Sequence, residues 1–149
     1  MRIGNHVVGW LLRSPFHPLL GPAFALITVW GRRSGREYTT PVNVLCSNEN
    51  FSIVSYRHRT WWRNLRGGGE AELIYAGERL RCSGQVLEAL QDVVVGLREH
   101  FSISPDMARH FGIQIQNGAD IRHADLERVA AERVVIQLRC RRRASVRED

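Results

Sequence analysis

The stretch Thr28–Leu45 reads TVWGRRSGREYTTPVNVL and sets two extended segments around a basic turn bounded by glycines. On its N-terminal side, Phe24, Leu26, Thr28 and Trp30 fall on one face of a strand, and Ala25, Ile27 and Val29 on the other. Both faces are apolar, the pattern of a strand buried on both sides. Gly31-Arg32-Arg33-Ser34-Gly35 then interrupts it as a turn. A second strand is expected from about Arg36 to Cys46, with Val42, Val44 and Cys46 alternating against Asn43 and Leu45. Pro41 has no N–H to give to a ladder, so this strand belongs at a sheet edge or carries a bulge.

Working outward, Ser47-Asn48-Glu49-Asn50 is turn chemistry, and Phe51–Tyr56 pairs back as a hairpin. Arg57-His58-Arg59 is a basic loop. Thr60 stands as N-cap of a short helix through Arg66, ended by Gly67-Gly68-Gly69. Strands are expected over Glu70–Ala76 and Arg79–Glu88, joined at Gly77-Glu78. In the second of them Leu80, Cys82, Gly84 and Val86 oppose Arg79, Arg81, Ser83 and Gln85, as in a half-solvated strand. Leu90, Val93, Val94, Leu97 and Phe101 take helical spacing. Ser104-Pro105 opens a further short helix that Gly112 closes, and Asn117-Gly118 marks a turn. His123–Ala131 reads as helix, and Val134–Cys140 as a last strand. Asn5–Arg13 reads as a short amphipathic helix ahead of the barrel. Six or so strands with interspersed short helices define an α+β chain with a small barrel, because long helices do not alternate strictly with the strands.

At 149 residues the chain fits one domain spanning 1–149, with residues 1–20 as helix and lead-in and 141–149 as a polar, frayed tail. The longest apolar runs fall short of the roughly 18–20 residues that cross a bilayer. No signal-peptide pattern is present either, so a cytoplasmic protein without stable membrane insertion is expected. Cys46, Cys82 and Cys140 are far apart and odd in number, each in a β-like run. They are expected as free, buried thiols, with no disulfide framework and no metal site. His6, His17, His100, His110 and His123 show no metal-ligand spacing and are expected at the surface or core rim. The formal charge is +6, and all 21 basic residues are arginine. This balance favours an anionic partner. No nucleic-acid motif is present and the arginines are spread along the chain, so nucleic acid is not expected as that partner.

Two segments carry the chemistry. In Gly31–Gly35, two guanidiniums, a hydroxyl and the turn's backbone N–H groups are donors for phosphate oxygens, although such turns also serve as plain solvated hairpin ends. In Trp61-Trp62-Arg63-Asn64-Leu65-Arg66, paired indoles offer faces for a flat ring, with Asn64 to pin its polar edge. The same indoles equally serve as core anchors.

These blocks in this order resemble the deazaflavin-dependent nitroreductase family. The matching residues are Thr28, Gly31–Gly35, Thr40-Pro41, Ser55 and Trp61–Leu65, and the likeness runs over about Phe24 to Glu88. The resemblance implies an antiparallel split β-barrel with short flanking helices that binds coenzyme F-420, an 8-hydroxy-5-deazaflavin with a phosphate and an acidic tail. By position, Arg32, Arg33, Ser34 and Gly35 are then expected at the phosphate and tail. Thr40, Pro41 and Val42 are expected along the ring, and Ser55, Arg57, Trp61, Trp62 and Asn64 around the rest of the pocket. It further implies a homodimer and hydride transfer to a small acceptor: an activated alkene, a quinone or a nitro group. Such chemistry needs positioning, water exclusion and a proton donor rather than a nucleophile. Tyr56, Ser55 and His58 are the catalytic candidates for proton donation or orientation, with Tyr38 beside them. FMN is the rival cofactor, since the same barrel hosts FMN enzymes. A non-catalytic flavin- or lipid-binding carrier is the alternative outside catalysis.

Overall fold

The computed structural model describes residues 24–115 and 121–142. The expected Asn5–Arg13 helix and Asn117-Gly118 turn, and the tail beyond Arg142, lie outside the described residues. The elements are β1 (Phe24–Trp30), β2 (Glu37–Asn43), β3 (Leu45–Ser47), β4 (Asn50–Tyr56), a 3-10 helix (Trp61–Leu65), β5 (Gly69–Tyr75), β6 (Glu78–Leu87), α1 (Leu90–Ile103), α2 (Pro105–His110), α3 (His123–Glu132) and β7 (Arg133–Arg142). The seven strands form one antiparallel curled sheet in the order β2-β1-β5-β6-β7-β4-β3. With the three α-helices this is an α+β split barrel, one strand more than the sequence count of about six.

The curl follows from the segment whose reading opened the problem. The single strand expected from about Arg36 to Cys46 is two, Glu37–Asn43 and Leu45–Ser47, broken at Val44. Its first part pairs with β1 at one end of the sheet, and its last part pairs with β4 at the other. One continuous segment therefore bridges the two ends. Pro41 sits on β2 opposite Leu26, where the strand has a neighbour on one side only, so its missing N–H costs no ladder bond.

Alternation sorts the side chains into two cores. Ala25, Ile27 and Val29 of β1, Ile53 of β4, Leu73 of β5, Leu80 of β6 and Val134, Ile136 and Leu138 of β7 point into the barrel with Trp61, Trp62 and Leu65. On the outer side α1 and α3 bury Val93, Val94, Leu97, Phe101, Leu126 and Val129 against Val135. Gly96 lets α1 approach β7, because a Cβ there would stand 2.9 Å from Leu87 and 3.3 Å from Val135.

Four expectations change. Cys82 and Cys140 are not free thiols: they lie directly opposite each other in the β6/β7 register and form a disulfide. Cys46 is free but exposed rather than buried, because its strand has turned at Val44. Thr60 makes no side-chain cap, and the segment after it winds as a 3-10 helix. This tighter turn buries Trp61, Trp62 and Leu65 together within five residues. Finally, β7 runs on through Arg141, paired with Arg81, into the segment expected as tail.

Candidate functional site

Where β2 and β4 diverge, the barrel is open. β3 pairs with only Asn50–Ser52, so Ile53–Tyr56 of β4 have a strand on the β7 side alone. A cavity of about 470 Å³ occupies this gap. Pro41, Val42 and Asn43 form one wall, and Ile53, Val54, Ser55 and Tyr56 the other. Trp61 closes the inner end, while Met107, His110 and Phe111 of the α2 region, with Arg59, His100 and Arg133, complete the lining. A strand paired on one side turns alternate N–H and C=O groups toward its open edge, so this wall offers backbone donors and acceptors to a flat, polar-edged ligand.

The expected site residues divide. Pro41, Val42, Ser55, Tyr56 and Trp61 come together in the cavity. Thr40 is the next residue of the same strand and is half-buried. The two indoles have different roles. Trp62 is 2% exposed and donates from Nε1 to the Tyr56 carbonyl at 3.1 Å, as a satisfied core anchor. Arg66 and Arg63 lie over its ring at 5.3 and 5.7 Å. Trp61 lines the cavity at 9% exposure, and its Nε1 has no acceptor among the described residues. An unmet buried donor costs about 1–3 kcal/mol, so the site is incomplete as it stands.

Asn64 turns its amide back to the Trp61 carbonyl at 3.1 Å and does not line the cavity. Arg57 does not either. Its guanidinium donates to the Ala130 carbonyl at 3.0 and 3.1 Å and to the Glu88 carbonyl at 2.7 Å, tying β4 to the C-terminal end of α3. His58 is exposed beside Tyr56, ring centroids 5.1 Å apart, and lies off the cavity lining.

The basic turn is a separate station. Gly35 accepts a φ of 67°, and the N–H groups of Gly31, Gly35 and Arg36 are taken up within the turn. Arg32 reaches across to the Asn64 and Gly68 carbonyls at 3.3 and 3.4 Å, which docks the turn on the 3-10 helix. Arg33 and Ser34 stay exposed. From Glu37, beside the turn, to Pro41 at the cavity is four residues of β2, roughly 13 Å of extended chain. The turn and the cavity are thus joined by one strand, β2, and by the 3-10 helix.

Arg133, Met107 and Phe111 were not singled out from sequence, while Arg59 of the basic loop and His110, expected at the surface or core rim, join them on the lining. Arg133 is opposite Tyr56 in the β4/β7 register and stacks on its ring at 3.5 Å. That pairing joins residues far apart in the chain, and no local pattern announces it. His100, expected at the surface or core rim, is 3% exposed, with Nδ1 2.8 Å from Ser52 Oγ. Burial pushes its pKa down to about 4, so the ring is neutral at pH 7. It borders both this cavity and a larger polar one of about 900 Å³ on the outer face of β4, β6 and β7. Among the described residues no His, Cys, Asp or Glu cluster suits a metal ion, and no helix is long and apolar enough to cross a membrane.

Solved structures share this architecture. HutZ, the heme storage protein from Vibrio cholerae, is 10% identical over 96% of this chain and 93% of its own, with a TM-score of 0.50. A structure described as a domain-swapped dimer is 16% identical over 88% and 98%, TM-score 0.50. An F420-H2 dependent reductase (FDR-A) is 16% identical over 77% and 93%, TM-score 0.49. Identities this low speak to the fold alone. No family model matches the chain, and no curated protein matches it by sequence.

Proposed function

We propose that the chain is an oxidoreductase that holds a flavin-type cofactor, coenzyme F-420, with its ring in the cavity between β2 and β4 and its phosphate at the Gly31–Gly35 turn. The observation that carries this reading is Trp61, which lines that cavity and whose buried Nε1 has no acceptor among the described residues. A ring carbonyl is the acceptor that would satisfy it. Arg33 and Ser34 are the free donors for the phosphate. Pro41, Val42 and the open edge of β4 would hold the ring, and Val42 and Ile53 help exclude water from it.

When bound, the deazaflavin supplies hydride transfer to a small acceptor such as an activated alkene, a quinone or a nitro compound. The chain's own part is to orient the two partners and to deliver a proton to the acceptor. Ser55 and Tyr56 line the cavity and are the proposed orienting and proton-donating groups. His58, off the cavity lining, is a weaker candidate on this geometry. FMN is the second reading. With Arg32 engaged by the Asn64 and Gly68 carbonyls, Arg33 and Ser34 suffice for one phosphate without an acidic tail. The proposed protein is a homodimer, as the resemblance implies.

The test is binding of purified apo-protein to F-420 and to FMN in matched salt, read by tryptophan fluorescence and calorimetry. Micromolar binding of F-420 that weakens in Trp61→Phe and Arg33→Ala supports the reading. Preference for FMN moves the function to a flavin oxidoreductase. Binding of neither overturns the redox reading.

A further inference from the structure

The cavity holds a cation that the fold itself does not use. Arg133 is half-buried, with its guanidinium carbon 3.5 Å from the Tyr56 ring centroid and 4.9 Å from that of Phe111. Stacking satisfies the faces of a guanidinium and leaves its in-plane N–H donors for an acceptor. Among the described residues none accepts: no carboxylate, carbonyl or hydroxyl bonds to this group. Arg57, one residue past Tyr56 on the neighbouring strand, shows the contrast, since carbonyls take up its guanidinium. Arg59 and His110 also border the cavity, and no Asp or Glu does. A partly desolvated, immobilised cation with unmet donors and a second guanidinium, Arg59, on the same lining is costly unless an anion joins it.

We infer that Arg133 is the recognition point for a carboxylate on the hydride acceptor, so that the substrate class is small unsaturated, quinonoid or nitro compounds bearing an acid group. This rests on the proposed redox reading. The cofactor's phosphate has its own station at the Gly31–Gly35 turn, outside the cavity lining and roughly 13 Å of extended β2 from Pro41, so the anion at Arg133 is a second one. A planar carboxylate fits the guanidinium edge with two parallel hydrogen bonds, whereas a neutral ester does not.

The test titrates 4-nitrobenzoate and its methyl ester into apo-protein and into protein loaded with F-420 or FMN, read by tryptophan fluorescence and by calorimetry. The acid is expected to bind at least tenfold tighter than the ester. Arg133→Gln is expected to erase that difference by weakening the acid rather than the ester, and Arg133→Lys to restore part of it. Thermal melts of both variants establish that they fold, which is expected because the Arg133 side chain bonds to no acceptor among the described residues. Equal binding of acid and ester, or a preference that survives Arg133→Gln, overturns the inference. So does cofactor binding that collapses in Arg133→Gln, since the anion read there would then be the cofactor's own. If no cofactor binds but the acid preference holds and depends on Arg133, the redox reading fails and the carboxylate site stands.

Discussion

Trp61 and Trp62 are neighbours in one 3-10 helix, yet among the described residues only Trp62 finds an acceptor for its indole N–H. Replacing either with phenylalanine removes a similar volume. Trp62→Phe also removes a bond to the Tyr56 carbonyl, which keeps only the Arg59 N–H at 3.2 Å, and should cost about 1 kcal/mol more stability than Trp61→Phe. Trp61→Phe should instead weaken the cavity ligand. Chemical denaturation of the two variants beside a ligand titration separates the effects.

The Cys82–Cys140 disulfide closes a loop with a sequence separation of 58 residues. Chain-entropy reasoning gives it about 4 kcal/mol over the reduced chain. Reduction, or the Cys82→Ala/Cys140→Ala pair, should therefore lower the melting temperature markedly, and Cys46→Ser should not. Alkylation of the native protein before and after reduction should count one reactive thiol and then three.

Burial holds the His100 pKa at about 4, against 6.5 when free. Between those values the unfolded chain binds the extra proton and the folded chain does not. Stability should thus fall as pH drops from 6.5 to 4, by about 3 kcal/mol from this group, and level off below. The Arg66 hydrogen bonds that hold Glu88 below the usual carboxylate range act in the same direction at lower pH. Urea midpoints measured against pH should flatten over the upper part of that window in His100→Gln.

Arg57 reaches from the end of β4 to carbonyls of Ala130 and Glu88. Arg57→Ala should destabilise the fold by about 2 kcal/mol, with hydrogen exchange rising first at the end of α3. Binding to the cavity should survive in protein that remains folded.

What could be read from the chain alone followed from local periodicity. Leu80, Cys82 and Gly84 face inward and Arg79, Arg81 and Ser83 outward because a strand alternates with period two. The helical spacing of Val93, Val94, Leu97 and Phe101 survives as the buried face of α1. Pro41 announced an edge. Register between distant strands leaves no such trace, and it decides both the disulfide and the stacking of Arg133 on Tyr56. The tryptophan motif pointed to the cavity, but burial alone separates the indole that lines it from the one that anchors the core. Likewise Arg57 and Arg59 look alike in sequence, and only the docking of α3 binds the first and leaves the second at the cavity.

The segment Glu37–Ser47 bridges the two ends of the sheet, and beside it the open edge of β4 faces β2 across a gap without rungs. A guest lodged there acts as a keystone: it touches both flanks of an arch whose crown is otherwise held by a single span of chain. Opening the arch then requires losing the guest. The protein's resistance to heat should climb with the logarithm of guest concentration above its dissociation constant, even though no bond within the chain has changed.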